Sequence, residues 1–270
     1  MGYIIKGTVN ASLFPDIREN VSDALVLIYL DDDLAENRHS SKKEARQLTK
    51  KEIIDKQDLC IGQAKTNGNG NFEIKLFEAY DNQRITIDIK LSQAPYQKSI
   101  NRKKEIQYTL IKLNPVWRPD GQNFSYSYNH TFPFKNWCQI RALFDAWTIC
   151  GSLKITGATN TKLFGFKIVV MDVDWIKDDL IGTAITDEKG YFRVDYTSAD
   201  FKKTFLSPIL NIETPISTIP GPGIYFKVLS PEGKIIYQED SVQGHTDERK
   251  NIPRCYFVKL NVTLVDDKVV

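Results

Sequence analysis

The chain has 270 residues, 41% of them hydrophobic and 26% charged, with 15 Gly and 11 Pro. This is globular chemistry, with chain enough for one large core or two domains. It excludes a disordered chain, a collagen-like fibre and a disulfide-dense mini-protein. Lys and Arg number 36 against 34 Asp and Glu, a net charge of +2, so no global field holds nucleic acid or an anionic membrane.

Residues Tyr3 to Val9 alternate and break at Gly7, which predicts a first β-strand. The N-terminus has neither the basic start nor the apolar run of roughly 7–15 residues of a secretory signal. Lys6 stands where a myristoylation signal wants Ser or Thr. No apolar run approaches the roughly 18 residues that span a bilayer. A cytoplasmic protein without membrane insertion is expected, with export by a signal-free route or within an assembly as the alternative. Leu25 to Leu30 is a continuous apolar run, the mark of a strand buried on both faces or with one long side chain lying flat. Ser41 with Glu44 three residues on is a capping-box pattern and predicts a short amphipathic helix in an insertion over about 36–58. Its basic residues alternate with Glu44, Glu52 and Asp55, a solvated face rather than a nucleic-acid arm. Asn67-Gly68-Asn69-Gly70 reads as a hairpin turn. Arg84 to Leu91 and Glu105 to Leu113 alternate as strands with one wet face.

Residues 115–146 hold Trp117, Phe124, Tyr126, Tyr128, Phe132, Phe134 and Trp137, too many rings for a flexible linker. They are read as a connector that packs the domains. Trp117, Tyr126, Tyr128 and Trp137 also have the flat faces that stack on sugar rings, which makes carbohydrate binding the alternative; burial is the commoner use of such rings.

The second half repeats the first. Ile4 to Val9 matches Thr148 to Leu153, Ala24 to Asp33 matches Gly165 to Asp174, and Ile61 to Phe72 matches Ile181 to Phe192. Asp33 and Asp174 are offset by 141 and Gly62 and Gly182 by 120, so the first repeat carries 21 extra residues, the insertion. Tyr225 to Val228 and Tyr256 to Val262 take the places of the two alternating strands. Short strands with turns between them make a β-sandwich. The expected fold is all-β: two tandem seven-stranded Greek-key sandwiches, Ig-like in layout, with a short helical insertion in the first. The first spans 1–114, the connector 115–146 and the second 147–270.

His39, His130 and His245 are isolated in loops and connector, and no nucleophile motif stands beside them. Phosphate-cradling glycine motifs are missing. Cys60, Cys138, Cys150 and Cys255 form no C-x-x-C pair and read as buried free thiols; a Cys150–Cys255 bridge is the alternative. Asp172, Asp174, Asp178 and Asp179 flank one loop and offer the oxygen-rich set that Ca²⁺ prefers, though EF-hand spacing is absent. Asp31, Asp32 and Asp33 are a weaker copy. Carboxylates at strand ends also cap turns and blunt edges. No cofactor is required, and Ca²⁺ is the one candidate ion.

The run from Gly165 to Phe201, with Asp172-Val173-Asp174, Asp178-Asp179, Gly182 and Thr186-Asp187-Glu188-Lys189-Gly190-Tyr191-Phe192, resembles the transthyretin-like, carboxypeptidase-regulatory-like group of β-sandwich domains. The first repeat keeps the pattern in Asp31-Asp32-Asp33, Gly62, Thr66-Asn67 and Gly70-Asn71-Phe72. The resemblance covers about 1–113 and 147–265 and implies a seven-stranded Greek-key sandwich, usually a non-catalytic interaction or spacer module. Two enzymatic relatives of that architecture do not fit. Hydroxyisourate hydrolases carry an N-terminal catalytic His and a C-terminal Tyr-Arg-Gly-Ser, whereas here no His precedes His39 and the end reads Asp266-Asp267-Lys268-Val269-Val270. Intradiol dioxygenases hold iron with two Tyr and two His, and no histidines flank Ile224 and Phe226. The expected function is therefore a non-enzymatic structural or protein-interaction role, as a subunit or accessory of an assembly such as a secretion or injection machine or a surface structure. The alternatives are a Ca²⁺-dependent or carbohydrate-binding adhesin-like module and, behind them, a hydrolase with an unrecognised site. Protein partners are expected, and nucleic acid is not.

Overall fold

The computed structural model describes residues 1–31, 45–98, 104–157, 162–173, 178–201 and 219–263. The protein is all-β and divides into two compact units, residues 1–95 with 100–137, and residues 96–99 with 138–270. His39, Asp32, Asp33, Asp174 and the Ser41–Glu44 pair lie outside the described residues.

The first unit contains β1 (Tyr3–Phe14), β2 (Ile17–Asn20), β3 (Leu25–Leu30), β4 (Arg46–Gln47), α1 (Lys50–Asp55), β5 (Cys60–Lys65), β6 (Asn71–Lys75), β7 (Ile85–Leu91), β8 (Ile106–Leu113), β9 (Arg118–Asp120) and β10 (Asn123–Phe132). One sheet runs β2-β1-β10-β9 with β6 also on β1, and the other runs β4-β8-β7-β3-β5. β1 and β10 pair in parallel from Tyr3 to Ala11. The other edge of β1 is shared between β6 and β2. The handover is at Val9, whose N–H donates to Gly70 O at 2.8 Å and whose carbonyl accepts from Val21 N–H at 3.1 Å. Alternate residues face the core, so Ile5 and Val9 on one sheet and Val26, Ile28, Ile87 and Ile89 on the other are all fully buried. Each contributes roughly 1.5–3 kcal/mol on leaving water.

The second unit begins within α2 (Phe134–Leu143) and continues with β11 (Trp147–Thr156), β12 (Lys167–Asp172), β13 (Asp179–Ile185), β14 (Tyr191–Tyr196), β15 (Ile224–Leu229), β16 (Ile235–Gln238) and β17 (Cys255–Thr263). Its sheets are β14-β11-β17 and β13-β12-β15-β16. Trp147, Ile149, Ile168, Val170 and Phe226 are among the side chains of its core. β11 and β17 pair in parallel from Thr148 to Thr156, as β1 and β10 do.

The repeat is thus a repeat of structure. Thr66 donates through Oγ1 to Val21 O at 2.7 Å and accepts from Ala24 N–H at 3.0 Å. Thr186 donates to Leu163 O and accepts from Phe166 N–H at 3.0 Å. Asn67 Oδ1 takes the N–H groups of Asn69 and Asn71, and Asp187 Oδ1 those of Lys189 and Tyr191. Gly70 and Gly190 close the two turns at φ of 76° and 80°, a conformation that favours glycine. The same β-bulge follows Ile28 on β3 and Val170 on β12.

This geometry corrects several expectations. Ala24 and Phe166 hold the same bond to the threonine, so the offset there is 142, not 141, and the insertion is 22 residues. A uniform apolar run such as Leu25 to Leu30 has no internal marker that fixes its alignment to one residue. Residues 118–120 and 123–132 are strands of the first unit, so its boundary at 114 and the connector over 115–146 do not hold. The counterpart of β17 is β10 rather than β8, because each pairs with the first strand of its unit. The described helix of the insertion is capped by Thr49: its Oγ1 accepts from Glu52 N–H at 3.3 Å and its N–H donates to Glu52 Oε2 at 2.8 Å. Cys255 is bridged to Cys138, with Cα atoms 6.0 Å apart. Cys150 is a buried free thiol because it lies opposite Phe257, whereas Cys255 lies opposite Thr148.

Candidate functional site

The acidic loop of the second unit sits where β12 ends and β13 begins. Asp172 Oδ1 accepts from Gly223 N–H at 3.1 Å, and Asp178 Oδ2 accepts from the Tyr225 hydroxyl at 2.8 Å. The Tyr225 phenol is pushed up to about 12 by burial and by Asp178. Asp172 stands opposite Asp179 in the β12–β13 register. The described carboxylates therefore tie the β12–β13 corner to β15, and no group of three metal-ligating side chains occurs among the described residues.

The four aromatic candidates belong to the first unit. In register with Ile5, Gly7, Val9 and Ala11, the β10 residues Tyr126, Tyr128, His130 and Phe132 share the core-facing side of the sheet. Trp117 rests against Tyr3, Tyr80 and Tyr126. Trp137 is fully buried, stacks on Phe132 with centroids 5.5 Å apart and donates from its indole to Glu19 at 2.6 Å. A sugar cannot reach a ring so enclosed, which corrects Trp137 as a carbohydrate contact. Burial lowers the His130 imidazole from 6.5 to about 4.

The outer face of the β5-β3-β7-β8 sheet carries a cluster that the sequence did not announce. Asp88 is fully buried. Its Oδ2 receives Lys56 Nζ at 2.7 Å and Gln107 Nε2 at 2.7 Å. Gln107 also donates to the Tyr29 hydroxyl at 3.1 Å, and the Lys56 ammonium lies 4.1 Å from the centroid of the Tyr29 ring. Burial lowers the Lys56 ammonium from its ordinary value while Asp88 opposes that shift. Burial pushes the Tyr29 phenol up to about 12. Beside this cluster Asp31 holds Arg84 at 3.0 Å and Lys112 at 2.6 Å. Removing Lys56 would strand a carboxylate in low dielectric, so the pair clamps the insertion onto the sheet. The second unit has Lys227 where the β3–β7 register has Asp88, and it lacks the insertion. The one sequence signal for this arrangement was the run Leu25 to Leu30, whose outward Leu27 and Tyr29 require a cover.

Next to the clamp the same face opens into a groove of about 1360 Å³. Leu25, Leu27 and Tyr29 line it from the sheet, Ile53 and Ile54 from α1, and Phe77 from the segment after β6. Ile54 is 67% exposed and Phe77 63%. The charged lining residues are Lys50, Lys75, Lys90, Lys104 and Glu105, and Glu105 is paired with Lys90 at 3.2 Å.

No family model matches the sequence, and no curated protein matches it. Among solved structures, a mutant form of the shaft pilin SpaA from Lactobacillus rhamnosus GG aligns over all of both chains at 8% identity and a TM-score of 0.32. The minor pilin GBS52 of Streptococcus agalactiae aligns over 99% of this chain and 98% of its own, at 12% identity and a TM-score of 0.27. The basal pilin SpaE of L. rhamnosus GG aligns over 97% and 99%, at 10% identity and a TM-score of 0.28. Likeness at this level assigns no role to the chain. The expectation of a cytoplasmic protein is corrected by the Cys138–Cys255 bridge, which belongs to oxidising surroundings rather than a reduced cytosol.

Proposed function

We propose that the chain is a non-enzymatic structural and protein-interaction protein, a subunit or accessory of a larger assembly such as a surface structure or an export machine. In this reading both units are transthyretin-like modules that serve as rigid spacers. The observation that carries it is the open groove of the first unit, flanked by two large apolar side chains, Ile54 and Phe77, that are more than half exposed. Large apolar side chains exposed around one groove mark interaction sites. The buried titratable groups beneath it are paired, as Asp88 is with Lys56 and Gln107, which suits a clamp better than a reacting centre. The bridge within the second unit favours a protein that works in oxidising surroundings. Mild cross-linking in the native host, affinity purification, sizing and mass spectrometry test this. A defined high-mass complex is expected; a free monomer or a small homo-oligomer overturns the reading.

A further inference from the structure

We propose that the groove of the first unit receives an acidic partner segment that carries large apolar side chains. The inference rests on the protein-interaction reading above and gives that partner a chemistry. Two features of the groove select it. Its volume of about 1360 Å³ exceeds the roughly 300–1,000 Å³ of pockets that enclose small molecules, and it is open, so it suits a length of polypeptide. Its lining mixes glutamines and lysines with aliphatic and aromatic side chains, among which the exposed Ile54 and Phe77 and the half-buried Leu25 offer seats for apolar anchors.

Of the five charged residues that line the groove, four are lysines. Glu105 is neutralised by Lys90, and Asp88 below is neutralised by Lys56. Lys50 and Lys104 line the groove and make no ion pair with the described residues. Carboxylates on the occupant would meet these ammonium groups, while a basic segment would be repelled. The apolar anchors supply affinity and the lysines supply selection.

The test uses the full-length chain and three probes: a twelve-residue peptide of alternating Glu with Leu and Phe, the same peptide with Lys for Glu, and dodecanoate. Cys60 lines the groove as a half-buried free thiol, Cys150 is buried, and Cys138 and Cys255 are bridged, so maleimide reaction at Cys60 reports occupancy without a mutation. The acidic peptide is expected to bind by calorimetry and to slow that reaction. Raised salt and the exposed substitutions Lys50→Glu with Lys104→Glu should weaken it by about fivefold or more, with the circular dichroism unchanged. Equal binding of the acidic and basic peptides, or no binding of the acidic one, overturns the proposal. Displacement of the acidic peptide by dodecanoate at lower concentration overturns it in favour of a lipid-type ligand. Any of these results, obtained alongside a defined high-mass complex, removes the groove assignment and leaves the subunit reading standing.

Discussion

Thr66 and Thr186 show how much one hydroxyl can organise. Each is buried, and each Oγ1 serves a carbonyl and an N–H of the segment that leads into β3 or β12. Thr186→Val keeps the shape and leaves both backbone groups unpaired. The expected loss is about 1–3 kcal/mol, read as a lower urea midpoint with an unchanged slope. His130 gives a prediction of opposite character. Its folded value is about 4 against 6.5 when unperturbed, because burial disfavours the cation. Below pH 6.5 the unfolded chain takes up a proton that the folded chain refuses. The stability this group confers is therefore full above about 6.5 and is lost as the pH falls through about 4, about 3 kcal/mol in all. Urea titrations at pH 7 and pH 4.5 should show this loss, and His130→Phe should flatten it. The turn chemistry of Thr66 to Phe72 and Thr186 to Phe192 was legible because it depends on neighbours in sequence. Asp88 was not: on an alternating strand it reads as a wet position, and the lysine that dries it is 32 residues away.

Among the elements, the insertion bearing α1 depends on that lysine. Lys56→Met is expected to cost about 3–5 kcal/mol by leaving Asp88 charged and buried, while the double variant Lys56→Met with Asp88→Leu should recover most of it. A double-mutant cycle by urea denaturation separates the two outcomes; equal loss in single and double variants would mean that the pair does not hold the insertion. Most strands were legible from their period of two. β10 was hidden in plain view, since Tyr126, Tyr128, His130 and Phe132 alternate with the exposed Ser127, Asn129 and Thr131. The parallel partnership of first and last strands was not legible at all, because pairing across more than a hundred residues leaves no local trace.

For the whole molecule, the bridge between Cys138 and Cys255 closes a loop of 117 positions that lies inside the second unit. The chain-entropy argument gives such a link about 2–5 kcal/mol. Cys138→Ser, or reduction, should lower the melting transition of the second unit and leave that of the first in place, as differential scanning calorimetry can read. Composition excluded a disulfide-dense scaffold correctly but could not choose a pair, since four cysteines allow several connectivities.

The parallel pairing of end strands also decides how each unit meets a mechanical load. In the first unit the chain enters at the Tyr3 end of the β1–β10 pair and leaves at the far end, at Phe132. A pull along the chain shears the register from Tyr3 to Ala11 all at once instead of unzipping it bond by bond. In the second unit the bridge joins Cys138, ahead of β11, to Cys255, the first residue of β17. Tension applied outside those two residues runs through the sulfur atoms, and the chain between them cannot lengthen. Reduction would restore that slack, turning an inextensible link into one that pays out under force.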